Sequence, residues 1–133
     1  MRIGYVATDE VNHALAARMA AKCGAIICHL RPREVHPDGL FDAVLYDLDD
    51  VPRDQQPAFL EELCLGTTDC PTAVHGYGIA DEQAQALRRH GVAVAQRLHP
   101  ALLRSLCKAA LRNHATVPSD GALTDLTWFN LAK

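Results

Sequence analysis

No apolar run in this 133-residue chain approaches the length needed to cross a bilayer. The first residues, Met-Arg-Ile-Gly-Tyr-Val, also lack the basic-then-apolar layout and small-residue cleavage site of a secretory signal. Both absences point to a cytoplasmic protein with no membrane partner. The five cysteines, Cys23, Cys28, Cys64, Cys70 and Cys107, form no Cys-x-x-Cys pair. They are odd in number and each sits in or beside an apolar segment. That suits small buried hydrophobes in a reducing compartment better than a disulfide framework. The seven histidines are scattered, and His29 and His36 are separated by loop residues, so no zinc-ligand spacing is seen. Acids are absent from residues 83–119, where Arg88, Arg89, Arg97, Arg104, Lys108 and Arg112 all fall. Nine acids crowd instead into residues 38–69, so the net charge of -3 hides an acidic end and a basic end.

What is present is ordinary globular material. The apolar fraction of 49% and charged fraction of 22% suit one soluble domain with a core of its own. Residues 2–7 read as a first strand. Thr8 or Asp9 can cap a helix that carries Val11, Leu15 and Met19 on one face and stops at Gly24. Residues 25–30 read as a second buried strand and residues 41–48 as a third. Pro57 belongs in the first turn of a helix that buries Phe59, Leu60, Leu63 and Cys64 and ends at Gly66. A short strand over 71–75 leads into Gly76-Tyr77-Gly78. Asp81 caps a helix ending at Gly91, residues 92–96 make a fifth strand, and Pro100 opens a last helix. The inner face of that helix carries Leu103, Leu106, Cys107, Ala110 and Leu111. Five near-continuous apolar strands alternating with helices imply a parallel sheet covered on both faces. The second crossover, residues 31–40, has two prolines, a glycine and no apolar period, so it reads as a loop without a regular helix.

The most informative stretch is residues 40–52, Leu-Phe-Asp-Ala-Val-Leu-Tyr-Asp-Leu-Asp-Asp-Val-Pro. It delivers Asp47, Asp49 and Asp50 to the C-terminal end of the third strand, where open α/β sheets gather their ligands. Residues 42–48, Asp-Ala-Val-Leu-Tyr-Asp-Leu, resemble the strand that leads to the phosphoacceptor of bacterial response regulator receiver domains, with Asp47 at the acceptor position. Residues 71–74 are similar to strand four of that family. Residues 91–106 are similar to the end of its helix four, its strand five and the start of its helix five. The likeness covers residues 2–113 and implies a flavodoxin-like (CheY-like) sheet of order 2-1-3-4-5.

The resemblance also locates what this chain lacks. The family's Mg²⁺-holding acidic pair aligns with Ala7 and Thr8, and Asp9 and Glu10 are displaced into the first helical turn. Its Ser/Thr after strand four aligns with Gly76, and its lysine at the end of strand five aligns with Gln96, followed by Arg97 where the family has proline. The proline after the acceptor loop stands one position late, at Pro52. The resemblance therefore implies a degenerate, pseudo-receiver form of a two-component signalling domain. Such a domain acts by protein–protein interaction, without conventional aspartyl phosphorylation, enzyme activity or a cofactor. The alternative is a phosphorylatable receiver with Asp47 as acceptor and Mg²⁺ held by Asp9, Glu10 and Asp49.

In receivers, partners meet the surface made by helix four, strand five and helix five. The matching residues here are the basic set Arg88, Arg89, Arg97, Arg104, Lys108 and Arg112. Arg104, Lys108 and Arg112 fall at i, i+4 and i+8, one stripe of a helix. An acidic signalling protein is the expected partner. Nucleic acid fits less well, since the net charge is negative and no helix-turn-helix is visible. Residues 1–114 form the receiver-like domain. Residues 115–133 form a tail with Leu123, Leu126 and Trp128 on a short helix, which covers the face left by the missing crossover helix or joins a second copy in a homodimer. Deleting residues 117–133 is expected to lower the melting temperature or change the oligomeric state. Light scattering and thermal melts that show neither change overturn both roles.

Overall fold

Short apolar strands assemble into one parallel sheet, and Gly24 and Gly91 each follow a helix that packs on it. The computed structural model describes residues 1–31, 40–65 and 70–116. Its strands are β1 (Arg2–Val6), β2 (Ile26–Leu30), β3 (Ala43–Asp47), β4 (Thr72–His75) and β5 (Ala93–Ala95). All pairings are parallel, in the order β2-β1-β3-β4-β5. The sheet order and the flavodoxin-like class are those expected from the sequence. Helices α1 (Glu10–Ala21) and α4 (Pro100–Thr116) cover one face, and α2 (Gln56–Leu65) and α3 (Asp81–Arg89) cover the other. Residues 32–39, 66–69 and 117–133, and with them the expectations for His36, the helix end at Gly66 and the tail with Leu123, Leu126 and Trp128, lie outside the described residues.

Each face has its own apolar core. Ile3, Tyr5, Ala43, Leu45 and Ala73 meet Ala16 and Ala20 of α1 and Leu102, Leu103 and Leu106 of α4. Val74 and Val92 meet Leu60 and Leu63 of α2 and Leu87 of α3. Gly4 stands at the centre of β1 on the second face. A Cβ there would lie 2.7 Å from Leu30 Cδ1 and 3.0 Å from Phe41 Cδ2, so the packing of Leu30 and Phe41 onto the sheet requires glycine.

Four sequence expectations need correction. Val11 is 74% exposed and Leu111 is 60% exposed. Rows of i, i+4, i+8 residues slant across a helix, so the outermost member of each row leaves the contact stripe. In α1 the stripe runs through Ala16 and Ala20, with Leu15 and Met19 half-buried beside it. β2 is not buried on both faces: it is an edge strand, and Ile26 is 65% exposed. Asp81 is not the cap of α3. Ala80 holds that position, its N–H donating to Gln83 Oε1 at 3.1 Å, and Asp81 lies in the first turn, where its charge favours the helix dipole.

Gly4→Val is expected to lower stability by about 1–3 kcal/mol in urea denaturation, the cost of overpacking a filled core. Val11→Ser, on the exposed row, is expected to stay within about 0.5 kcal/mol of the parent.

Candidate functional site

The third strand ends in three carboxylates, and the backbone sends each to a different element. Asp47 is 5% exposed and caps a 3-10 turn over Leu48–Asp50, its Oδ1 accepting from the Asp49 N–H at 3.0 Å. Asp49 Oδ1 accepts from the Tyr77 N–H at 3.3 Å, in the loop after β4. Asp50 faces the loop after β1. One of its oxygens accepts from the Thr8 N–H and the other from Thr8 Oγ1, both at 2.8 Å. The acidic cluster therefore ties three strand ends together.

Beneath it runs a buried polar chain. Tyr5 of β1 reaches His75 of β4, with its hydroxyl 2.6 Å from Nε2. His75 Nδ1 faces Asp47 Oδ1 at 3.9 Å, too far for a hydrogen bond but close enough for strong Coulombic contact. Burial, with Asp47 next and then the other acids of the cluster, holds the Tyr5 phenol far above its usual range. Its O–H therefore remains, and the hydroxyl and His75 Nε2 share one hydrogen bond. Burial lowers the His75 pKa against the opposing pull of Asp47, Asp49 and Asp50. Burial likewise raises the Asp47 pKa, against the pull of His75. Burial thus disfavours the charged form of both members of the pair, while each favours the charge of the other.

A second group of rings lies on the other side of Tyr5. His13 of α1 stacks obliquely on Tyr5, with centroids 4.6 Å apart. The His13 and His29 rings have centroids 3.6 Å apart. The Nε2 atom of each lies 3.1 Å from the Ala7 carbonyl oxygen. On the opposite face a cleft of about 650 Å³ opens beside the acids, lined by Val6, Tyr46, Asp47, Asp50, Val51 and Phe59 among others.

The residues singled out from sequence are dispersed over this scaffold. Asp47, Asp49 and Asp50 come together as expected of a strand end. Asp9 turns toward its own helix, its Oδ1 accepting from the Val11 N–H at 2.8 Å and the Asn12 N–H at 3.4 Å. Glu10 opens α1 and is exposed. Asp9, Glu10 and Asp49 are not gathered. Among the described residues no three side chains of His, Cys, Asp or Glu are grouped to hold a metal. Arg88, Arg89, Arg97, Arg104, Lys108 and Arg112 are all exposed, on α3, the loop after β5, and α4. Arg88 donates to the Val94 carbonyl at 3.3 Å. A shallow groove of about 380 Å³ runs beside it between β5 and α4, lined by Arg88, Val94, His99, Leu102 and Ser105 among others.

No protein-family model matches this sequence, nor does any curated protein sequence. Solved structures do match. The chain is similar to a response regulator receiver protein from Pseudoalteromonas atlantica, with a TM-score of 0.63, 14% identity, and 86% of this chain and 99% of that one covered. It is similar to a protein named for pilus assembly from Burkholderia thailandensis, with a TM-score of 0.58, 20% identity, and 84% and 98% covered. A sensor protein from Polaromonas sp. matches with a TM-score of 0.58, 14% identity, and 84% and 97% covered. Identities this low carry the architecture. The chain has the receiver fold.

Within that receiver fold, Tyr5, His13 and His75 were not singled out as a group from sequence. Tyr5 and His75 are 70 residues apart, and only their place on neighbouring strand ends joins them. The one local signal was a histidine ending an apolar strand.

The buried pair sets a pH response. The unfolded chain protonates His75 near the ordinary value of 6.5, and the folded domain resists that. Stability is therefore expected to fall as pH drops below about 6.5, because the unfolded state then binds more protons. His75→Gln is expected to flatten the slope of urea stability between pH 7.5 and 5. The remainder comes from His13, whose pKa burial also lowers. Asp47→Asn removes a carboxylate whose ionised form is disfavoured when folded, and is expected to raise the melting temperature at pH 7.

Proposed function

We propose that the protein is an atypical, receiver-like signalling domain of a bacterial two-component pathway. It acts by protein–protein interaction in the cytoplasm, without aspartyl phosphorylation, enzyme activity or a cofactor. The observation that carries this reading is the clasp between Thr8 and Asp50. At the position where receivers keep an acid for Mg²⁺, Thr8 instead spends two donors on the neighbouring carboxylate. The other positions agree with it. A Cβ added at Gly76, where the family has a hydroxyl residue, would stand 2.8 Å from Leu48 Cβ. Gln96, in place of the lysine, is exposed.

The partner-binding surface of this reading is the basic face around β5. Arg88, Arg89, Arg97, Arg104, Lys108 and Arg112 suit an acidic signalling protein, and Trp128 of the tail is a further candidate contact for a partner. Exposed charges of this kind speed encounter and set partner choice more than they set affinity. A homodimer joined through the tail of residues 115–133 is the other arrangement this reading includes. The similarity to a pilus assembly protein and to a sensor protein fits a receiver fold used as a docking module.

One observation favours the alternative of a phosphorylatable receiver. Asp47 lines the mouth of the 650 Å³ cleft, where an acceptor could be reached. In that reading Asp9, Glu10 and Asp49 rearrange to hold Mg²⁺. Nuclear magnetic resonance with Mg²⁺ and beryllofluoride or acetyl phosphate separates the two. No shift around Asp47 is expected. Shifts there that vanish in Asp47→Asn overturn the proposal in favour of the switch.

A further inference from the structure

We propose that Ala7, His13 and His29 form a binding site for a borderline divalent transition-metal ion such as Zn²⁺ or Ni²⁺. The site is distinct from the carboxylate cluster and goes beyond the function proposed above. Three potential ligand atoms converge: the Ala7 carbonyl oxygen, His13 Nε2 and His29 Nε2, with both nitrogens 3.1 Å from the oxygen. Ligands about 2.1 Å from one ion stand roughly 3.0 Å apart in cis octahedral positions and roughly 3.4 Å apart in tetrahedral ones. The observed spacing falls between them. The two imidazoles stack, with centroids 3.6 Å apart and planes tilted by 38°, and the Nε2 atom of each is hydrogen-bonded to the same oxygen.

The ligands come from three elements and are set by the fold. Ala7 follows β1, His13 lies in α1 one turn beyond the Asp9 cap, and His29 is the fourth residue of β2. Parallel pairing of Tyr5 with His29 fixes the strand register, and the packing of α1 fixes the third corner. His29 is exposed, so water can reach the site and complete the coordination shell. Two nitrogens and one carbonyl oxygen suit Zn²⁺, Ni²⁺ or Cu²⁺, whereas Mg²⁺ selects oxygen donors. Without metal, each Nε2–H donates to the Ala7 carbonyl. With metal, the proton of each ring moves to Nδ1 and the lone pair on Nε2 binds the ion.

The test uses the full chain at pH 7.5, titrated with Zn²⁺ and followed by calorimetry and by ¹⁵N signals of the imidazoles. One ion per chain at micromolar concentration is expected, with the Nε2 signals of His13 and His29 shifting together. Loss of even an outer partner of a metal ligand costs about 10–100-fold in affinity, so His29→Gln and His13→Gln are each expected to weaken binding at least about tenfold. Asp47→Asn is expected to bind as the parent does. Mg²⁺ at the same concentration is expected to move neither Nε2 signal. Absence of binding, binding unchanged in both histidine variants, or an equal response to Mg²⁺ overturns the proposal. His29→Gln lies at an exposed position, so a folded variant is available even if His13→Gln destabilises α1.

Discussion

An ionisable pair buried beneath a strand edge governs this molecule. Asp47 and His75 face each other at the ends of adjacent parallel strands, almost wholly out of water. An isolated charge in that position is costly, and the structure reduces the cost with the Tyr5 hydroxyl on one side and the Asp49 N–H on the other. The arrangement needs β1, β3 and β4 side by side in one register. The polar chain and the sheet order therefore support each other.

The acids above the pair follow from the same constraint. Asp49 and Asp50 reach outward and are each held by backbone N–H groups of a neighbouring loop. A strand end that in an open α/β sheet would present free ligands is here sewn to its surroundings. The receiver fold is kept, and the carboxylates at this strand end are bound to the loops around them. Charge of the opposite sign collects around β5, on α3, the loop after β5, and α4.

Much of this was legible in the chain itself. Near-continuous apolar runs, Asp9 as a cap, and Gly24 and Gly91, both with φ near +80°, marked the elements and their order. The gathering of Asp47, Asp49 and Asp50 followed from their place after a strand. Other features depended on the third dimension. Ile26 looks like core in a one-dimensional pattern and is exposed only because β2 is an edge. Val11 and Leu111 fit a helical period, but the helices contact the sheet through alanines and a narrower leucine stripe. The ring cluster of His13 and His29 spans a helix and a strand 16 positions apart, a spacing no local motif encodes.

The short outer strand β5 carries a further consequence. Its outward backbone is a ready template for another chain's strand, which in soluble proteins invites edge-to-edge aggregation. The Arg88 guanidinium sits on the Val94 carbonyl and blocks that template with a charge. Any protein that extended the sheet on this side would first have to displace Arg88, so growth of the sheet is gated by one side chain.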